Sequence, residues 1–281
     1  METRISSATK EVVIGAERPT VLIGERINPA GRKKLTEALK AGNLDIVRRE
    51  ASAQAQAGAD IIDINVSTFG VDEVSLLPQA VQAAMNAVDV PLCLDSPNPA
   101  ALEAGLKVYK GKPLINSVTG EERSLVKVLP LVREYGVAVI GLTQDDEGIP
   151  DNSERRVAIA RKIVERAETA GVPREDIIID CLTFAVGAGA RSGLVTIETA
   201  RRIKTELRVN LTLGVSNISF GLPNCNLLNN AFVTIAIAAG VTCLIVDVPK
   251  IRPIVLAAEL VLARDPHARR YIEAYRQLQK Q

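Results

Sequence analysis

The sequence predicts a (β/α)8 barrel, and three observations carry that prediction. Short apolar, β-branched runs recur along the whole chain, and each is followed by a longer amphipathic segment. Such alternation demands parallel strands with helical crossovers, because consecutive parallel strands need a long connection. Eight units of this kind fit within about 250 residues, the ordinary size of a closed eight-stranded barrel. An open doubly wound sheet is the competing architecture; eight strands, with no glycine fingerprint after the first, favour the barrel.

The strands are expected at Val21–Gly24, Asp60–Asn65, Pro91–Asp95, Pro113–Asn116, Ala138–Thr143, Ile177–Asp180, Thr212–Val215 and Cys243–Asp247. Helical patterns fill the intervals at Leu44–Ala57, Val74–Ala87, Pro99–Leu106, Glu122–Tyr135, Ser153–Ala170, Ile197–Glu206 and Leu227–Ala239. Gly58, Gly136, Gly171 and Gly240 mark helix ends, where a left-handed residue closes the last turn cheaply. Pro150 followed by Ser153 and Arg155-Arg156 reads as a helix start. The first twenty or so residues form a lead-in expected to close the bottom of the barrel. With no linker, low-complexity tract or shift in composition, residues 1–281 are expected to make one domain.

Composition excludes several functions. Lys and Arg number 34 against 33 Asp and Glu, so the basic footprint of a nucleic-acid binder is missing. A hydrophobic content of 47% rules out a disordered chain. One histidine makes His-based metal sites and Ser-His-Asp chemistry improbable. Cys93, Cys181, Cys225 and Cys243 lack paired spacing; three of them sit in apolar runs and read as small hydrophobes. No metal on this chain is expected. The N-terminus lacks an apolar signal region, and the stretch Ala231–Val248 is broken by Gly240 and Thr242 and carries Asp247. A cytoplasmic protein that binds neither membrane nor nucleic acid is the expectation.

In a barrel of this kind chemistry is built at the C-terminal ends of the strands. Those ends read Glu25-Arg26-Ile27-Asn28, Asp63 with Asn65, Asp95-Ser96, Asn116-Ser117, Thr143-Gln144, Asp180, Ser216-Asn217 and Asp247. Nearly all are carboxylates or carboxamides. A single strand-end Asp is usually a helix cap or turn acceptor, but five strands ending in Asp or Asn exceed what capping requires. Carboxylates accept paired N–H groups, and amides offer a donor beside an acceptor. The fitting ligand is flat, with ring nitrogens and an exocyclic amine, such as a pterin. Asp95 and Asp180 stand out because apolar runs lead straight into them.

Other chemistries fit poorly. A Schiff-base lysine should be desolvated inside the barrel, yet Lys112 stands at a strand's wrong end and Lys250 beyond the last strand. Gly187–Gly193 is glycine-rich without phosphate-loop spacing and reads as a flexible loop. His267 lacks the trailing glycine of a cobalt-ligating Asp-x-His-x-x-Gly loop and reads as a surface residue.

Taken together, Ile23-Gly24-Glu25-Arg26-Ile27-Asn28, Ile61–Val66, Cys93-Leu94-Asp95-Ser96, Leu114-Ile115-Asn116-Ser117 and Gly214–Ser219 resemble the pterin-binding methyltransferases acting between methyltetrahydrofolate and a corrinoid protein. The folate module of cobalamin-dependent methionine synthase belongs to that family, and this chain looks closest to stand-alone members of bacterial demethylation systems. The resemblance puts Asp95, Asn116 and Asp180 on the pyrimidine ring and its amine, with Asn217 as the catalytic amide beside N5. Glu25, Asn28, Ser216 and Gln144 join the mouth, and Asp63 supports it. It also implies tetrahydrofolate or methyltetrahydrofolate as substrate, a corrinoid supplied by a partner protein, and a homodimer. Two positions depart from the family pattern: Cys181 stands where Pro is frequent, and Cys225 where many members carry Arg, removing a cation that the resemblance would set against either the folate or the corrinoid partner. A dihydropteroate synthase, which shares barrel and pocket, would need cations at strands seven and eight for a pyrophosphate; a catalytically idle folate-binding subunit is the third reading.

Overall fold

A computed structural model describes residues 1–279. Two antiparallel strands, β1 (Glu2–Ser6) and β2 (Glu11–Gly15), precede the barrel. The barrel strands are β3 (Val21–Ile27), β4 (Ile61–Asn65), β5 (Leu92–Asp95), β6 (Leu114–Thr119), β7 (Ala138–Leu142), β8 (Ile177–Asp180), β9 (Asn210–Thr212) and β10 (Cys243–Val246). They pair in parallel in the order β10-β3-β4-β5-β6-β7-β8-β9. The remaining seam, β9 to β10, closes through a bridge between Gly214 and Ile245 and through Ile245 N donating to Leu213 O at 3.0 Å. This is the expected (β/α)8 barrel.

Alternation along the strands separates two cores. Ile23, Ile61, Cys93, Leu114, Ala138, Ile140, Ile178 and Cys243 point inward, where Ile5, Val12 and Ile14 of the hairpin join them from below. Their neighbours Leu22, Ile62, Leu94, Ile115, Ile179 and Leu244 point outward against the helices. Side chains two residues apart share a face, so Asp63, Asp95, Asn116 and Asp180 stand one layer above Ile61, Cys93, Leu114 and Ile178. The polar ring is therefore the top of the same stack whose lower layer is apolar.

The lead-in closes the bottom as expected. Asn210 Nδ2 donates to Thr3 Oγ1 at 2.9 Å and to Ile14 O at 3.0 Å, pinning the hairpin beneath β9. Lys112 sits at this end, with Nζ 2.6 Å from Asp176 Oδ1, and is not available to the mouth.

Ten α-helices lie among the described residues: α1 (Lys33–Lys40), α2 (Asp45–Gln56), α3 (Glu73–Met85), α4 (Pro99–Val108), α5 (Glu122–Tyr135), α6 (Ser153–Thr169), α7 (Ser192–Glu206), α8 (Cys225–Ala239), α9 (Val248–Val261) and α10 (Arg269–Leu278). Side chains of Asp72, Asn98 and Asn152 cap α3, α4 and α6, and Gly136 and Gly240 close α5 and α8 at positive φ. α6 starts at Ser153 as expected, capped by Asn152. Two expected boundaries need correction, at α7 and β9. α7 begins at Ser192 rather than Ile197, because Thr196 Oγ1 turns inward to Leu182 O and the first turn is tertiary in origin. β9 runs Asn210–Thr212 rather than Thr212–Val215, and beyond it Gly214 and Val215 reach β10 only through the single bridge to Ile245.

Candidate active site

A cavity of about 320 Å³ opens at the C-terminal end of the barrel. Glu25, Asn28, Asp63, Asp95, Asn116, Asp180, Ser216 and Asn217 all line it. Gln144 does not: it follows β7 away from the cavity, and its carbonyl accepts Gly120 N at 2.8 Å. The sequence also missed Arg32, Leu182 and Thr183, which complete the wall. A cavity of about 600 Å³ beside α9 and α10 is larger, but its lining, including Ala57, Pro253, Tyr271 and Tyr275, contains no carboxylate.

Neighbouring strands assemble the floor. Asn65 pairs with Asp95 across β4 and β5, and Asp95 with Asn116 across β5 and β6. Asn65 Nδ2 donates to Asp95 Oδ2 at 2.8 Å, and Asn116 Nδ2 lies 3.3 Å from Asp63 Oδ1. Asp63 and Asp95 contact each other directly. Burial is the main cause that pushes both carboxyls up; the Asp95 charge raises Asp63 further, while hydrogen bonding to Asn65 and Asp63 pulls Asp95 back down. Asp95, partly relieved by Asn65, rises to about 6, while Asp63 goes well above the ordinary range. The two carboxyls thus stand against each other on the floor as an acidic pair.

Asp180 is buried at the end of β8, and desolvation raises its pKa to about 7. Leu182 N donates to its Oδ1 at 2.7 Å, and Arg156 lies near enough to favour the anion. Arg156, 1% exposed, was not anticipated as part of the site. Its Nε donates to Pro150 O at 2.8 Å, and its Nη1 to Cys181 O at 2.9 Å and Leu182 O at 2.7 Å. Phe184 covers the guanidinium with its ring centroid at 5.6 Å. This clamp ties the β7 and β8 loops together, holding Leu182 at a φ of 52°. Glycine would adopt that conformation freely, whereas leucine needs the surrounding bonds.

Replacing Arg156 by lysine should keep the charge but lose the forked contacts. Stability is expected to fall by about 2–3 kcal/mol, read from urea denaturation, with weakened ligand binding because Asp180 loses its frame. Unchanged denaturation and binding would remove Arg156 from the positioning machinery.

The opposite rim holds Glu25, whose Oε1 accepts a bond from Ser216 Oγ at 2.7 Å. Burial raises its pKa first, with Asp247 adding in the same direction. Asn28 Oδ1 accepts Ala30 N at 3.0 Å, and the residue lines the cavity. Asn217 is exposed on a short 3-10 turn, Ser216–Ser219, and among the described residues its carboxamide makes no hydrogen bond. Thr183 Oγ1 is buried in the wall and also finds no partner among them. Two polar groups without protein partners thus face a ring of acceptors.

Several alternatives lose their geometry. Asp247 is held by Lys250 Nζ at 2.9 Å and Arg26 Nη1 at 3.5 Å, so the last strand ends in an ion cluster outside the cavity lining. Gly193 lies inside α7, and no residue of the Gly187–Gly193 segment lines the cavity. His267 is exposed. Cys93, Cys181 and Cys243 are buried free thiols, and Cys225 is exposed. Among the described residues no group of three or more His, Cys, Asp or Glu could hold a metal ion, and no helix is long and apolar enough to cross a membrane.

Residues 24–247 match the family described as pterin binding enzyme. A methylcorrinoid:tetrahydrofolate methyltransferase of Eubacterium limosum is 33% identical over 268 residues, covering 92% of this chain and 96% of that protein. A methionine synthase of Mycobacterium leprae is 36% identical over 253 residues, of which this chain spans only 21% of the length. The crystal structure of Yersinia pestis dihydropteroate synthase superposes with a TM-score of 0.71 at 19% identity, covering 94% of this chain and 100% of that one. At that identity the likeness concerns the fold.

Proposed function

This chain belongs to the pterin-binding enzyme family, and from that premise we propose that it moves a methyl group between N5 of tetrahydrofolate and the cobalt of a corrinoid carried by a separate protein. The observation that carries the reading is the mouth itself: buried acids and amides form the floor, with an unpartnered Asn217 amide above them. Asp95 and Asp180 accept N–H bonds from the pyrimidine edge and its amine, while Asn116 supplies the donor between them. Asp63 backs Asp95 from the neighbouring strand and is itself met by the Asn116 amide.

Transfer toward cobalt breaks the methyl–N5 bond and leaves its electron pair on N5. A tertiary amine leaves poorly unless a proton or hydrogen-bond donor stabilises the developing charge. Asn217 meets that need by rotation, donating through NH2 or accepting through its carbonyl as N5 changes protonation. In reverse, the N5 lone pair attacks the methyl group and the N5 proton departs. The protein orients and stabilises; the cobalt belongs to the second substrate. In the cell the direction toward tetrahydrofolate, within a demethylation system, fits the likeness to the Eubacterium limosum protein. A cytoplasmic homodimer belongs to the same proposal and is tested by light scattering of the purified chain.

The deciding experiment mixes the protein with methyltetrahydrofolate and free cob(I)alamin, following loss of the cob(I)alamin absorbance. Catalysed loss is expected. Tetrahydrofolate binding without any transfer would mark an idle folate-binding subunit, and condensation of a pterin pyrophosphate with p-aminobenzoate would mark the synthase reaction instead.

A further inference from the structure

A second cavity, about 310 Å³, lies between α1 and α2 beside the mouth. Its wall carries Arg26, Arg32, Lys33, Lys34 and Arg49 against a single carboxylate, Glu50. Arg32 lines both cavities, so that side chain stands at the border between them. This is a local excess of cations on a chain whose formal net charge is only +1.

Neutralisation within the cleft is incomplete. Arg26 Nε is 2.8 Å from Glu50 Oε2, and Arg49 reaches the other oxygen only at 4.0 Å. Lys33 Nζ is 3.9 Å from Glu37 Oε1, while Arg32 and Lys34 have no acidic partner among the described residues. The placement also opposes local helix preference. Arg32 is the N-cap of α1 without a side-chain cap bond, and Lys33 and Lys34 open its first turn, which contains no acidic residue. The positive end of a helix favours acids, not a run of cations. A chain built only for helix stability would place Asp or Glu there.

We propose that this cleft receives the carboxylates of a polyglutamylated folate tail, an inference that rests on the pterin reading of the mouth. The buried acids fix the pterin on the floor, so the aminobenzoyl-glutamate must leave over the rim. Arg32 is the cation at that rim, and each added γ-linked glutamate carries one more carboxylate into the basic cleft.

Calorimetry separates the parts with three probes: 6-methyltetrahydropterin, tetrahydrofolate monoglutamate and its triglutamate. At low salt the triglutamate is expected to bind about fivefold to tenfold tighter than the monoglutamate, with most of the gain lost at high salt. A K33Q/K34Q/R49Q variant should abolish that gain while binding 6-methyltetrahydropterin as the native protein does. Equal affinities for mono- and triglutamate, with the tail-less pterin still bound, overturn the tail site alone and leave the cleft to an acidic surface of the corrinoid-carrying partner. Failure to bind even the tail-less pterin overturns both this proposal and the functional reading beneath it.

Discussion

Asn217→Ala is expected to transfer methyl about a hundredfold more slowly than the native protein, with little change in tetrahydrofolate affinity. The contrast arises because hydrogen bonding at N5 matters most when charge develops there, and a group acting mainly in the transition state lowers kcat rather than binding. Asparagine is also a common turn residue, which would predict parallel damage to stability, binding and rate. The structure separates the two accounts. The turn is held by main-chain bonds, Ile218 N to Val215 O at 3.2 Å and Phe220 N to Asn217 O at 3.3 Å, and the exposed side chain contributes none of them. The melting temperature should therefore stay near the native value. Asn217→Asp should be slower still at high pH, where a fixed anion cannot donate. Stopped-flow methyl transfer beside equilibrium binding decides it; a native single-turnover rate in Asn217→Ala ends the catalytic role.

Asp180→Asn should weaken tetrahydrofolate binding about tenfold to a hundredfold and, without ligand, make the protein more stable at neutral pH. The sign follows from burial. Desolvation raises the folded pKa of Asp180 to about 7, above the unfolded value of about 4. The ionised group therefore destabilises the native state above pH 7, and that penalty shrinks as pH falls toward 4, where both states are protonated. Asparagine removes a penalty on the order of 2–4 kcal/mol, so melting temperatures should rise at pH 8 and converge with the native protein near pH 4. Binding runs the other way, because the ligand's N–H donors need the anion. Native affinity should decline below about pH 7; in the variant that inflection should vanish, leaving one from Asp95 near 6. A variant with native affinity, or with no gain in stability at pH 8, contradicts the assignment.

Much of this was legible in the sequence, for a definable reason. Strand-end positions follow from counting along apolar runs, so Asp95, Asn116 and Asp180 could be placed at the mouth before any coordinates. Gln144 failed the same count because β7 ends at Leu142, one residue before the expected end at Thr143, and the chain turns away there. Arg156 and Arg32 were hidden for another reason. Each sits on or beside a helix, where an arginine ordinarily faces water, and nothing local says that one is buried under three carbonyls while the other borders a cavity. Such roles come from loops that meet only after folding. Short α1 escaped because only Leu35 and Leu39 are buried in it, too few to show a period.

The two-residue alternation of the barrel strands has a consequence for how such a protein can change. Ile61, Asp63 and Asn65 face the lumen while Ile62 and Ile64 face the helices, so recognition and scaffold are written on interleaved letters of one short word. Substitution can rewrite the upper luminal letters for another flat heterocycle without disturbing a single helix contact. Insertion or deletion cannot. Losing one residue within β4 would turn isoleucines into the lumen and drive a carboxylate against the greasy helical ring, destroying ligand choice and scaffold together. A lineage of such barrels can therefore diversify widely in what it holds, while its strand lengths stay frozen.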